Sequence, residues 1–187
     1  MPQVAVKLVS ETESNYFKIF ILIFNISHQA VGIKFDDVIQ PDHLRYTLGL
    51  NMSKLTSLKD KGYDPTSQTF DTSLMICLLR NLAGIQITNE LPLWSELTVG
   101  ADLSRIMTHR KYISNSNDRT LQNDKFAAIW KEIEDAVIRL SNEKLTIDCS
   151  TLQTKNFYVD DSQSIYATIQ GWKRLVQIEE KRRCKQI

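Results

Sequence analysis

Residues Gly100 to Leu140 read GADLSRIMTHRKYISNSNDRTLQNDKFAAIWKEIEDAVIRL. The second half settles the structural class. Phe126, Ile129, Trp130, Ile133, Val137 and Leu140 recur at steps of three and four, while Lys125, Lys131, Glu132, Glu134 and Asp135 lie mainly elsewhere on the wheel. That period makes an amphipathic α-helix with one apolar face. The first half predicts another helix, starting near Thr98 and burying Leu103, Ile106 and Met107. Its end gathers His109, Arg110 and Lys111 ahead of a polar hinge, Ser114-Asn115-Ser116-Asn117. This junction is the best address for chemistry in the chain, yet no histidine follows Arg110.

Helical signals continue on both sides. Asp71 is placed to N-cap a short, almost wholly apolar helix, Ser73 to Leu82, which Gly84 ends. A helix apolar all round is expected at the centre of a bundle. Ile85 to Leu97 reads as a connection anchored by Leu91, Pro92 and Trp94. Upstream, Ser10 to about Phe35 carries Tyr16, Phe17, Phe20, Phe24 and Val31 near helical spacing, and its apolar stretch suits a buried central helix. Pro41-Asp42 opens a further helix with Leu44, Leu48, Leu55 and Leu58, stopped by Gly62. Gly62 to Thr69 is polar, contains a proline and reads as a loop. Beyond Ser141 the pattern weakens until Asp161 to Lys185, where Ile165, Ile169, Trp172, Leu175 and Val176 mark a last amphipathic helix. The acidic pairs Asp36-Asp37 and Asp160-Asp161 fall at helix boundaries. Six or seven helices without a strand pair predict an all-α bundle.

Composition excludes several function classes. The chain has 187 residues, 42% hydrophobic and 24% charged, with a formal charge of +1. Near-neutrality argues against a protein built to coat nucleic acid. Six glycines and four prolines are too few for a turn-rich β-sandwich. Cys77, Cys149 and Cys184 are scattered, without metal-ligand spacing, so a reducing, cytoplasmic setting is expected and no metal or disulfide framework. Cys77, inside LMICLL, reads as a small core residue. The longest uninterrupted apolar run, Ile19 to Phe24, is far shorter than a bilayer-spanning segment, so no membrane association is expected. Phosphate-loop, dinucleotide, nucleophile-elbow, zincin and EF-hand motifs are absent, and no cofactor is expected.

The composite of FDTSLMICLLRNLAGI (Phe70 to Ile85), Pro92, Trp94, GADLSRI (Gly100 to Ile106), His109-Arg110 and FAAIWKEIEDAVIRL (Phe126 to Leu140) resembles a known family. It is similar to the HEPN-like domain of the type found in the DAZ-interacting zinc-finger RNA-binding ubiquitin ligase. NYFKIFILIF and LRYTLGLNMSKLTSLKDKG look like that domain's first two helices. The resemblance implies a HEPN-like helical bundle over residues 13–141, with a tail at 1–12 and a helical extension at 142–187. It also implies proximity to signalling or innate-immunity modules.

Active members of the wider superfamily cut RNA with an arginine, a following polar residue and a histidine four to six residues further on. The arginine stabilises charge on phosphate, and the histidine moves protons near neutral pH. By resemblance Arg110 takes the arginine position and Lys111 the polar one. The histidine position falls at Asn115 or Ser116, neither of which is an acid or base near pH 7. His28, His43 and His109 are the only histidines, and none follows an arginine at that spacing. The expectation is a catalytically inactive HEPN-like interaction module that binds a protein partner or a second copy, with weak RNA contact. Arg110, Lys111, Asn115, Arg80 and Asn81 are the candidate RNA-contact residues. The rival readings are a metal-independent endoribonuclease, in which Arg110 would be catalytic, and an RNA-binding module without turnover. On the bland reading Arg110 and Lys111 complement a helix dipole, Asn81 is a cap, and Trp94, Trp130 and Trp172 anchor the core.

Overall fold

The computed structural model describes residues 7–40 and 67–183. Its first helical run begins at a capping box. Ser10 Oγ accepts the Glu13 amide at 3.3 Å while a Glu13 carboxylate oxygen accepts the Ser10 amide at 3.3 Å. From there α1 (Glu11–Ile21), one π-helical turn (Leu22–Ile26) and α2 (Ser27–Val38) form one continuous rod. The π turn holds an extra residue, and Ser27 Oγ donates to the Leu22 carbonyl at 2.9 Å in the widened ladder. Tyr16, Phe17, Ile19, Phe20, Leu22, Ile23, Phe24 and Ile26 are all buried, so this rod is the centre of the bundle. By length and hydropathy it could cross a membrane. Two-thirds of its most apolar window (67%) is instead buried inside the protein, which accounts for the apolarity.

Around the rod lie α3 (Thr72–Leu82), α4 (Val99–Asn115), α5 (Asn123–Leu140), α6 (Thr146–Thr154) and α7 (Val159–Arg183). Among the described residues the architecture is all-α; one isolated antiparallel bridge pairs Leu8 with Tyr158. Helix starts follow the sequence closely. Asp71 caps α3 through the Leu74 amide at 2.8 Å, and Thr98 caps α4 through the Ala101 amide at 3.1 Å. Gly84, at φ 64°, ends the α3 segment, and the Ile85 amide returns to the Leu79 carbonyl at 3.3 Å. After α5 the chain reverses through Asn142 and Glu143, at φ 50° and 66°. The predicted helix after Pro41 lies outside the described residues.

Three expectations are corrected. Helix α3 does not occupy the centre. Thr72, Met75, Ile76 and Leu79 face the core, whereas Leu74 and Leu82 are 37% and 38% exposed. The central place is already filled by α1 and α2, so α3 covers one side. Cys77 lies on its outer face and is exposed. Trp94 is 86% exposed and anchors nothing, and Leu91 beside it is 46% exposed. Trp130 is buried, and Trp172 is partly buried against the core.

Helix α6 was not legible in the sequence, because only Cys149 and Leu152 of its nine residues are buried. The whole segment beyond Ser141 nevertheless shares the common core. Phe157 and Tyr166 meet the Phe17 ring edge-on at 5.5 and 5.0 Å, and Trp172 stacks on Phe24 at 5.6 Å. Tyr166 Oη donates to Glu13 at 2.8 Å, binding α7 to the start of α1.

Candidate functional site

Helix α4 carries the residues singled out from sequence, and its two halves play different roles. Every residue from Gly100 to Ile106 is buried. Gly100 lies so close to the preceding loop that a Cβ there would sit 1.9 Å from the Gln86 carbonyl oxygen. Ser104 Oγ donates to the Gly100 carbonyl at 2.7 Å and accepts the Thr88 amide at 2.9 Å. Arg105 Nη2 donates to the Leu93 carbonyl at 2.6 Å while its Nη1 donates to Asp102 Oδ1 at 3.0 Å. Asp102, 1% exposed, also accepts from Arg139 Nη2 at 2.6 Å and Nε at 2.9 Å. The GADLSRI signature is therefore a clamp. It fixes the 85–98 loop against α4 and ties α4 to α5.

The second half of α4 departs from the sequence expectation. The helix runs on to Asn115, so Arg110 and Lys111 are not in its last turn, and that turn holds no basic residue. The cation at this helix end is supplied by α7, where Lys173 Nζ donates to the Ser116 carbonyl at 2.5 Å. His109 is buried, with Nε2 2.6 Å from Glu132 on α5.

Arg110 is only 8% exposed. Its guanidinium lies 4.5 Å from the centre of the Phe24 ring, and Nη1 reaches Thr72 Oγ1 at 3.5 Å. His28 Nδ1 stands 3.0 Å from the same hydroxyl. Phe24, on the π turn, and Thr72, at the start of α3, are thus among the neighbours of Arg110, and His28, on α2, shares the Thr72 hydroxyl. Sequence spacing could not have found them, since all three come from distant segments. The π turn was the missed local signal, for such bulges frequently mark functional sites.

Lys111 and Asn115 are exposed on α4. Asn81 is exposed on α3 and its side-chain amide contacts Cys77 Sγ at 3.2 Å rather than capping the backbone. Arg80 is partly buried in the last turn of α3. Among the described residues no group of three or more His, Cys, Asp or Glu side chains is placed to hold a metal. A cleft of about 550 Å³ lies beside Lys18, Asn15, Asn123 and Phe157. Three of its polar side chains already serve the fold: Asn15 Nδ2 donates to the Leu121 carbonyl and to Asn123 Oδ1, and Lys18 Nζ donates to the Gln153 carbonyl at 2.7 Å.

The exposed 91–97 loop stands apart. Leu91, Leu93, Trp94 and Leu97 are 46%, 68%, 86% and 61% exposed although the backbone beneath them is clamped.

The all-α bundle that carries GADLSRI and the buried Arg110 on one helix is a HEPN-type domain by its sequence match. The family model for DZIP3/hRUL138-like HEPN domains matches residues 43–165, about two-thirds of the chain. The chain belongs to that family. The match runs past Leu140 through α6 into α7. No curated protein and no solved structure matches the chain.

Proposed function

We propose that this chain is a catalytically inactive HEPN-like module that acts by binding a protein partner, in a signalling or innate-immunity setting. The burial of Arg110 carries the reading. A residue 8% exposed, with its guanidinium over Phe24, is poorly disposed to meet a phosphodiester, and the histidine position of the family motif holds Asn115 or Ser116. Cytoplasmic placement belongs to the same proposal, supported by the unpaired thiols of Cys77 and Cys149.

The rival is a metal-independent endoribonuclease, and one observation favours it. His28 approaches the same Thr72 hydroxyl as Arg110, which would supply a proton carrier from within the chain. The deciding experiment is cleavage of single-stranded and hairpin RNA in EDTA between pH 5 and 8, with His28→Ala and Arg110→Ala as controls. No cleavage is expected. Cleavage lost in both variants while they remain folded would replace the module by an enzyme. RNA binding without turnover, weakened by Lys111→Ala and falling steeply with salt, would make it an RNA-binding module.

A further inference from the structure

We infer that the 91–97 loop is a preformed docking surface for a partner segment that carries lysine or arginine beside apolar side chains. This rests on the reading of the chain as a protein-binding module and names the surface and the partner's chemistry. Three ties hold the loop independently of any partner: Gln86 against Gly100, the Thr88 amide to Ser104, and the Leu93 carbonyl to Arg105. A fourth contact tightens its tip, where the Glu96 amide donates to the Leu93 carbonyl at 3.0 Å. Outward exposure of Leu93 and Trp94 is thus imposed by the backbone rather than by a loose loop. Little ordering cost remains for association, and an exposed tryptophan flanked by leucines has the makings of a binding anchor.

The charge pattern selects the occupant. From Asn81 through Ala101 the chain has two ionisable side chains, Glu90 and Glu96, both exposed, and no lysine or arginine. Asp102, next along, is outweighed by Arg105 and Arg139, of which Arg105 is buried and Arg139 turns mainly toward Asp102. Among the described residues, the charges that the loop itself sets at the rim of the apolar patch are therefore acidic. Basic residues on a partner would meet it favourably, and acidic ones would be repelled. The same rim opposes an anionic membrane, to which a Leu-Trp loop could otherwise dock.

The test uses the full chain and two synthetic amphipathic peptides of one apolar pattern, one with lysine and one with glutamate on the polar face. Binding is read by fluorine NMR of 5-fluorotryptophan-labelled protein, with the Trp94 resonance assigned by Trp94→Phe. The lysine peptide is expected to shift the Trp94 signal and to bind about tenfold more tightly than the glutamate peptide at low salt. Trp94→Ser should weaken it about thirtyfold or more. Glu90→Lys combined with Glu96→Gln should invert the preference. Equal binding of both peptides, or full binding by Trp94→Ser, overturns the inference. So does a Trp94 shift produced instead by phosphatidylserine vesicles, or by self-association that Trp94→Ser abolishes. RNA cleavage by the same preparation would strike the module reading itself, whatever the peptides do.

Discussion

Replacing Asp102 with alanine tests the clamp on which both the fold and the exposed loop depend. The carboxylate accepts three hydrogen bonds from two arginines at 2.6–3.0 Å. The arginines are unequal. Arg139 keeps 33% of its side chain exposed, so water can take over its donors, whereas the Arg105 side chain is 3% exposed. Without Asp102, Arg105 retains the Leu93 carbonyl but has lost its countercharge in a site that water does not reach. An uncompensated buried charge of this kind costs about 3–5 kcal/mol. For a domain of this size that is a fall in melting temperature of roughly 6–20 °C. Arg139→Ala, which leaves Asp102 paired with Arg105, should cost about 1–2 kcal/mol. Asp102→Leu with Arg105→Met removes both charges and should recover much of the loss. Urea and thermal unfolding followed by circular dichroism, with wild type as reference, give all three stability changes. Hydrogen exchange at the Thr88 amide reports whether the loop loosens with the clamp. The reasoning is refuted if Asp102→Ala lies within about 1 kcal/mol of wild type, or if Arg139→Ala is equally damaging.

Other positions give independent checks. Arg110→Ala should lower unfolding stability by about 2 kcal/mol through loss of the desolvated contact with Phe24; unchanged stability would argue that Arg110 serves a ligand rather than the fold. Gly84→Ala places a Cβ at φ 64° and should cost about 1–2 kcal/mol, while Glu143→Gly relieves the same strain at φ 66° and should raise the melting temperature. Burial pushes the Cys149 thiol from 9.0 up to about 12, with lesser contributions from Glu134 and Asp148. The unfolded thiol ionises first, so this stability is complete below pH 9 and lost as pH rises from 9 toward 12. Melting curves across that range should show a loss that Cys149→Ser reduces. In the same samples a thiol reagent should label Cys77 readily and Cys149 only on unfolding, since Cys77 is exposed and Cys149 fully buried.

Helix identity was encoded locally and could be read directly. The periodicity of Phe126 to Leu140 and the caps Asp71 and Thr98 act over one or two turns, so neighbouring residues carry all the information. The GADLSRI and LLRN words likewise identified the family without coordinates. Their meaning was not local. Gly100, Asp102, Ser104 and Arg105 acquire their roles from Gln86, Thr88, Leu93 and Arg139, and no spacing rule announces those partners.

The fate of each candidate side chain was a tertiary decision for the same reason. Arg110 read as a cation near a helix end, set to complement the helix dipole or to meet RNA phosphate. It became a buried one because α4 continues to Asn115 and because Phe24 and Thr72 arrive from other helices. Trp94 looked like a core anchor on hydrophobicity alone. It faces outward because α1 and α2 already fill the centre and the clamp fixes the loop backbone outside them. By itself the sequence determined a helical bundle, the capped starts of two helices and its family, all properties of short-range pattern. Only the tertiary structure decided which polar groups are spent on the fold and which apolar ones face solvent, because burial depends on what distant segments bring to each helix face.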